Sequence, residues 1–245
     1  MNSTHCLLEV CVDTPASLQA ALEGGADRIE LCSALALSGL TPSPGFMLRA
    51  GRLGRPAYAM IRPRAGDFCF SQAEIDVMRS DIDAVRGAGL PGVVLGACRA
   101  DGALDEAALS RLVAHAKGLR LTLHRAFDLA PDPGAALETA IGLGFERVLT
   151  SGGAPTASAG AQRIAALVKR ANGRISIMAG SGMTPANVTA LVAMTGVNEV
   201  HGSFSRKLPR PEGTERSDAL GFTRGGQAET DRTLVAGALA ALGRR

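Results

Sequence analysis

Short apolar runs, each followed by a stretch whose apolar residues fall at helical spacing, recur eight times along the chain. The runs are Cys6–Val12, Arg28–Cys32, Ala57–Arg62, Gly92–Gly96, Leu119–His124, Arg147–Thr150, Ile175–Ala179 and Asn198–Gly202. Successive runs are spaced by roughly 20 to 35 residues, the size of a strand–helix unit. Thr14-Pro15, Ser43-Pro44, Asp132-Pro133 and Thr184-Pro185 each place an oxygen-bearing cap before a proline, the signature of a helix start. Ser71 and Asp105 read as caps without the proline. From Ser71 to about Gly89 the spacing of Ile75, Met78, Ile82 and Val85 predicts the longest helix. Eight such units predict one α/β domain over residues 1–245, a parallel (β/α)₈ TIM barrel. A doubly wound open sheet uses the same elements. The barrel is preferred because eight units fill the chain with no remainder at its start.

One segment breaks the rhythm. Ser205 to Thr230 is polar and rich in Gly, Pro and Arg, and it precedes a last helix at Asp231–Leu242. A loop of this length is either disordered or functional. The functional reading is a lid or a subunit contact leaving from the barrel mouth.

Alternation along a strand sends every second side chain to the same face. Val10, Ile29, Leu31, Ile61, Leu121, Leu123 and Val200 suit the helix-facing side. By elimination Glu9, Cys11, Glu30, Cys32, Met60, Arg62, Thr122, His124, Glu199 and His201 point into the barrel. Barrel interiors are normally branched aliphatics, and unpaired buried charge is costly, so these groups must pair with one another or with a ligand. The structural reading is a salt-bridge network of Glu9 and Glu30 against Arg62 and a histidine. The functional reading is an acid/base set, with Glu9, Glu30, Arg62, His124 and Asp128 as catalytic candidates. His124 would titrate near neutrality, Arg62 would grip an anionic oxygen pair, and Asp128 would sit on the loop above. Alternation turns Arg125 away from the axis.

The loops after the sixth, seventh and eighth runs add Gly152 and Gly153, then Gly180, Ser181 and Gly182, then Gly202 and Ser203. Glycine lets backbone N–H groups approach an anion, and barrels often hold phosphate at the last two loops. These seven residues are the candidate phosphate site. Cys11 and Cys32 are placed at equivalent heights on neighbouring strands about 4.8 Å apart. They are either two small residues filling the barrel or a soft-ion pair suited to Cu(I).

Composition narrows the classes further. A net charge of +3 with 3% aromatics and no long Lys/Arg run argues against a nucleic-acid partner. No apolar stretch of about 18 residues predicts a membrane helix. The five cysteines form no CxxC, and with no export signal at the N-terminus they predict free thiols in the cytoplasm.

The stretches EVCVD (Glu9–Asp13), GGADRIELCSALALSGLTPSPG (Gly24–Gly45), MIRPRAGDF (Met60–Phe68), HRAFD (His124–Asp128) and RVLTSGGAPTA (Arg147–Ala157) resemble the CutC family of copper homeostasis proteins. The resemblance covers about residues 7 to 206. It implies a (β/α)₈ barrel, cytoplasmic residence, a homo-oligomer and copper as partner, with Cys11 and Cys32 matching the two cysteines proposed as copper(I) ligands. Ala65 departs from a glycine in the family pattern, and AGSGM (Ala179–Met183) departs from a more glycine-rich turn. Two functions are therefore expected of the chain. One is a copper homeostasis protein that binds Cu(I) near the barrel mouth. The other is a barrel enzyme acting on a small phosphorylated or anionic metabolite.

Overall fold

The computed structural model describes residues 6–209, 213, 215–221 and 228–244. In chain order the elements are β1 (Leu7–Val12), α1 (Pro15–Glu23), β2 (Arg28–Leu31), α2 (Pro44–Gly51), β3 (Ala57–Met60), α3 (Gln72–Gly87), β4 (Gly92–Leu95), α4 (Glu106–His115), β5 (Arg120–Leu123) and α5 (Pro133–Gly142). They continue with β6 (Arg147–Thr150), α6 (Ala161–Ala171), β7 (Ser176–Gly180), α7 (Val188–Thr195), β8 (Glu199–Gly202), β9 (Ser205–Lys207), α8 (Glu215–Ala219), β10 (Ala228–Thr230) and α9 (Arg232–Ala241). The strands β1 to β8 pair in sequence order, all parallel, and β8 closes on β1. This is the (β/α)₈ TIM barrel expected from the eightfold pattern. The helices α1 to α7 and α9 form its outer ring, and α9 packs between α7 and α1.

The apolar face of each strand packs beneath the helices as the alternation predicts. Val10, Ile29, Leu31, Ile61, Leu121, Leu123 and Val200 join Leu18, Met78 and Ile82 in one buried cluster. The longest helix shows why such units form. Ser71 accepts from the N–H of Glu74 while the Glu74 side chain accepts from the N–H of Ser71, a reciprocal capping box. Ile75, Met78, Ile82 and Val85 then form one buried stripe. Each such side chain contributes roughly 2 kcal/mol by leaving water, so Ile82→Asp would break the unit.

Two expectations are revised. The helix after the seventh strand does not open at Thr184-Pro185. It opens at Val188, after a turn in which Asn187 Oδ1 accepts from Thr184 N at 2.9 Å and Asn187 Nδ2 donates to Gly182 O at 2.8 Å. The Asn187 side chain competes with the first helical turn and delays it. The helix dipole thus starts farther from the Gly180–Gly182 loop. Part of the segment Ser205 to Thr230 is regular: β9 and β10 pair antiparallel, Ser205 opposite Thr230. Residues 210–212, 214 and 222–227 of that expectation lie outside the described residues. No helix among the described residues is long and apolar enough to cross a membrane.

Candidate functional site

The deepest charges form a closed network. Glu9 pairs with Arg28, Arg28 also pairs with Glu199, and Glu199 accepts from Arg147 Nε at 3.1 Å. Arg147 donates to Thr122 Oγ1 at 3.1 Å, and both guanidinium groups lie over the Tyr58 ring, at 5.3 Å for Arg28 and 5.2 Å for Arg147. The expected pairing of Glu9 and Glu30 with Arg62 is therefore corrected. Arg28 and Arg147 carry that role, and neither was singled out in the sequence. The signal existed, because Arg28 shares the face of Glu30 by alternation.

Above this layer His201 bridges the two carboxylates. Its Nδ1 lies 2.8 Å from Glu9 Oε1 and its Nε2 lies 3.7 Å from Glu30 Oε2. Burial disfavours the Glu9 charge, but Arg28 and His201 outweigh it and pull the carboxyl from 4.5 to about 2. Burial, reinforced by Glu9, raises Glu30 against the opposing pull of His201. The imidazole itself is buried, yet Glu30, Cys11 and Glu9 raise it well above 6.5. The two carboxylates are thus driven apart, by His201 and Arg28 and not by His124 and Arg62.

One donor atom each from Cys11, Glu30 and His201 lie within 4.8 Å of one another, all buried. The equal heights expected of Cys11 and Cys32 are corrected. The register sets Cys11 opposite Glu30, because a closed barrel staggers its strands, and Cys32 falls one layer higher. There it packs with Tyr58, Met60 and Val94, its Sγ 3.5 Å from Glu30 Oε2. Burial pushes both thiols up, with Glu30 adding to it in each case.

Arg62 and His124 lie on the other side of the mouth. Arg62 Nη1 donates to the carbonyls of Leu37 at 2.9 Å and Gly39 at 3.1 Å, and Nη2 to that of Gly66 at 2.9 Å. Its guanidinium stacks on Phe68 at 4.8 Å, and the His124 ring centroid lies 4.9 Å from the same ring. His124 Nδ1 accepts from Ala126 N at 3.2 Å. Burial, then the Arg62 charge, pushes His124 from 6.5 down to about 3. The expectation that His124 titrates near neutrality is therefore corrected, since a buried imidazole beside a cation stays neutral. Arg125 is also corrected: it begins a short 3₁₀ helix, Arg125–Leu129, so strand alternation stops at His124, and Arg125 lines the mouth.

Asp128 and the glycine loop after β6 turn out to be one unit. The Asp128 carboxylate accepts from the N–H groups of Ser151 at 3.1 Å and Gly153 at 3.0 Å, from the Thr150 hydroxyl, and from Arg125 Nε at 2.8 Å. Gly152 N donates to Thr150 Oγ1 at 2.8 Å. Of the two amides expected here to cradle phosphate, that of Gly153 is thus spent on Asp128, an anion already in the chain, and that of Gly152 on Thr150. Gly152 has φ +70°, and a Cβ there would meet Gly160 O at 2.6 Å. Gly180 likewise serves packing, since a Cβ would lie 2.6 Å from Leu149 Cδ1. Ser181, Gly182, Gly202 and Ser203 do line the mouth.

The mouth is a cavity of about 1070 Å³. Cys11, Glu30, Arg62, His124, Asp128 and His201 share its wall, and the ribbon of β9 and β10 borders it through Ser205 and Glu229. Three buried side-chain atoms among the described residues have no hydrogen-bond partner: Glu30 Oε1, Arg62 Nε and His124 Nε2. All three belong to residues of this cavity.

Residues 6–206 match the model of the CutC family. A Caulobacter vibrioides protein named family protein CutC is 56% identical over 242 residues, 99% of either chain. One from Agrobacterium fabrum is 54% identical over 235 residues, 96% of this chain and 93% of that one. A crystal structure of a copper homeostasis protein CutC from Streptococcus agalactiae superposes with a TM-score of 0.78 at 33% identity, covering 81% of this chain and 98% of that one. A phosphoribosylanthranilate isomerase from Thermotoga maritima shares the barrel at 13% identity and a TM-score of 0.59, covering 97% of this chain and 98% of that one. That likeness concerns the fold alone.

Proposed function

The chain belongs to the CutC family, and from that premise we propose that it serves copper homeostasis by binding copper as cargo at the floor of the barrel mouth. One observation carries the reading: Cys11, Glu30 and His201 bring a sulfur, an oxygen and a nitrogen within 4.8 Å of one another in a buried pocket. Thiolate and imidazole are the side chains that suit copper, and thiolate favours Cu(I). Cys32 supplies a second sulfur through its contact with Glu30. The donors fit a cation, because Glu30 Oε1 is a buried acceptor with no partner. Without a cation Cys11, Cys32 and Glu30 are all biased toward their protonated forms. An entering ion displaces those protons, so affinity rises with pH.

The five thiols suit a reducing cytoplasm, where we place the protein, and the family premise supports a homo-oligomer. Anaerobic titration with Cu(I) against a chromogenic chelator tests the copper reading. We expect about one ion per chain, abolished in the Cys11→Ser/Cys32→Ser variant and weakened at least tenfold in His201→Ala. Undiminished binding in both variants would remove it. Native mass spectrometry tests the oligomer, where a monomer would refute that part.

A further inference from the structure

We propose that the wall formed by Arg62, His124 and Phe68 is a second ligand site, separate from the copper donors, that binds a small organic oxyanion. The argument begins with Arg62. Its side chain is buried and donates to the carbonyls of Leu37, Gly39 and Gly66, but among the described residues it forms no ion pair. The other buried cations of the barrel, Arg28 and Arg147, each pair with a carboxylate. Carbonyls orient a guanidinium without cancelling its charge. Arg62 is therefore a positioned cation whose counter-charge the described chain does not supply, with Nε unpartnered.

His124 supplies the second donor. The bond from Ala126 N assigns Nδ1 as acceptor, which leaves the proton on Nε2. That N–H is buried and has no partner. A neutral imidazole with its tautomer fixed donates to oxygen and does not compete for a proton. Phe68 holds the geometry, since both groups lie against its ring at 4.8 and 4.9 Å. Two orphaned N–H groups with a fixed cation are complementary to an oxyanion, and a carboxylate or a phosphate shares that chemistry.

The loops after β7 and β8 line the same mouth as this wall. The backbone N–H groups of Ser181, Gly182 and Ser203 make no hydrogen bond among the described residues. Ser181 has φ +82°, an uncommon backbone for serine, and Gly182 has φ +73°. A phosphorylated metabolite long enough to cross the mouth would set its phosphate on these amides, whereas a plain carboxylate would reach Arg62 and His124 alone. The cavity of about 1070 Å³ holds a metabolite of either kind.

The test uses the full chain and two probes, inorganic phosphate and pyruvate, followed by NMR of the histidine ring nitrogens and the backbone amides. We expect one probe at least to shift the His124 Nε2 signal saturably. Inorganic phosphate held at the β7 and β8 loops would also move the amides of Ser181, Gly182 and Ser203, and pyruvate would leave them still. Affinity should fall tenfold or more in Arg62→Lys and in His124→Gln. His124 unmoved by both probes into the tens of millimolar would overturn the proposal in the wild-type protein, whatever the variants do. So would affinity unchanged in both variants when each is folded by circular dichroism. Copper titration reads different residues, so either proposal can fail alone.

Discussion

The Nδ1 of His201 lies 2.8 Å from Glu9 Oε1, inside a barrel whose interior is usually aliphatic. Glu9 is at once the counter-ion of Arg28 and the acceptor that orients the imidazole. Glu9→Gln keeps the shape and removes the charge, leaving Arg28 and His201 short of a partner. We expect a loss of roughly 3 to 5 kcal/mol, measured by urea denaturation. A loss below about 1 kcal/mol would show that the network is not a unit.

Acid should act through the same carboxylate. Its folded value, about 2, lies below its ordinary 4.5. The stabilisation is therefore complete above about pH 4.5 and disappears as pH falls toward 2. In Glu9→Gln the urea midpoint should depend less steeply on pH across that window; an identical slope in both proteins would refute the assignment.

The two mouth histidines should titrate in opposite directions. His124 is held near 3, so the native state refuses a proton that the unfolded chain accepts below 6.5. Its contribution is present above 6.5 and is lost as pH falls toward 3. His201 is raised well above 6.5, so its contribution is present below 6.5 and lost as pH rises through its elevated value. At pH 6.5, ring-nitrogen NMR should find His201 doubly protonated and His124 neutral. The reverse pattern would sink the electrostatic account of the mouth.

Asp128 occupies the amides of the glycine loop after β6. Asp128→Ala should cost roughly 1 to 3 kcal/mol, because buried donors lose their acceptor. It should also open an anion site that wild type lacks. Sulfate should then raise the melting temperature of the variant more than that of the wild type. Equal effects of sulfate on both would show that Asp128 does not fill the cradle.

Gly160 is where that loop is seated. A Cβ there would lie 1.8 Å from Ser151 O, a backbone atom that cannot move aside cheaply. Gly160→Ala should cost roughly 3 kcal/mol by overpacking, read from thermal melts. A neutral substitution would mean that the loop is not held as described.

Period-two alternation was enough to turn Glu9, Glu30, Cys11, Arg62 and His124 into the barrel, because the apolar partners Val10, Ile29, Leu31 and Leu123 admit only one register. What alternation lacks is height. The stagger of a closed barrel decides that Glu9 meets Arg28, that Cys11 meets Glu30, and that Cys32 stands a layer above. Arg28 and Arg147 stand at the first position of their strands, where alternation alone does not distinguish a buried charge from a solvent-facing one. Asp128 was legible as a site residue, but not its partners, since a carboxylate three residues beyond a strand finds them through the backbone turn that follows. His124 was placed on the right face and given the wrong acidity, because burial and the nearness of Arg62 are not sequence properties.

The seam of the barrel has a consequence for the timing of folding. Val235 of α9 packs where a Cβ on Gly24 would stand, Thr230 N donates to Ser17 Oγ at 3.1 Å, and Arg244 pairs with Asp27. The first helix is thus sheathed by residues made long after it. During synthesis α1 keeps a bare apolar flank until α9 has emerged from the ribosome, so this side of the barrel is completed only after every strand has been made.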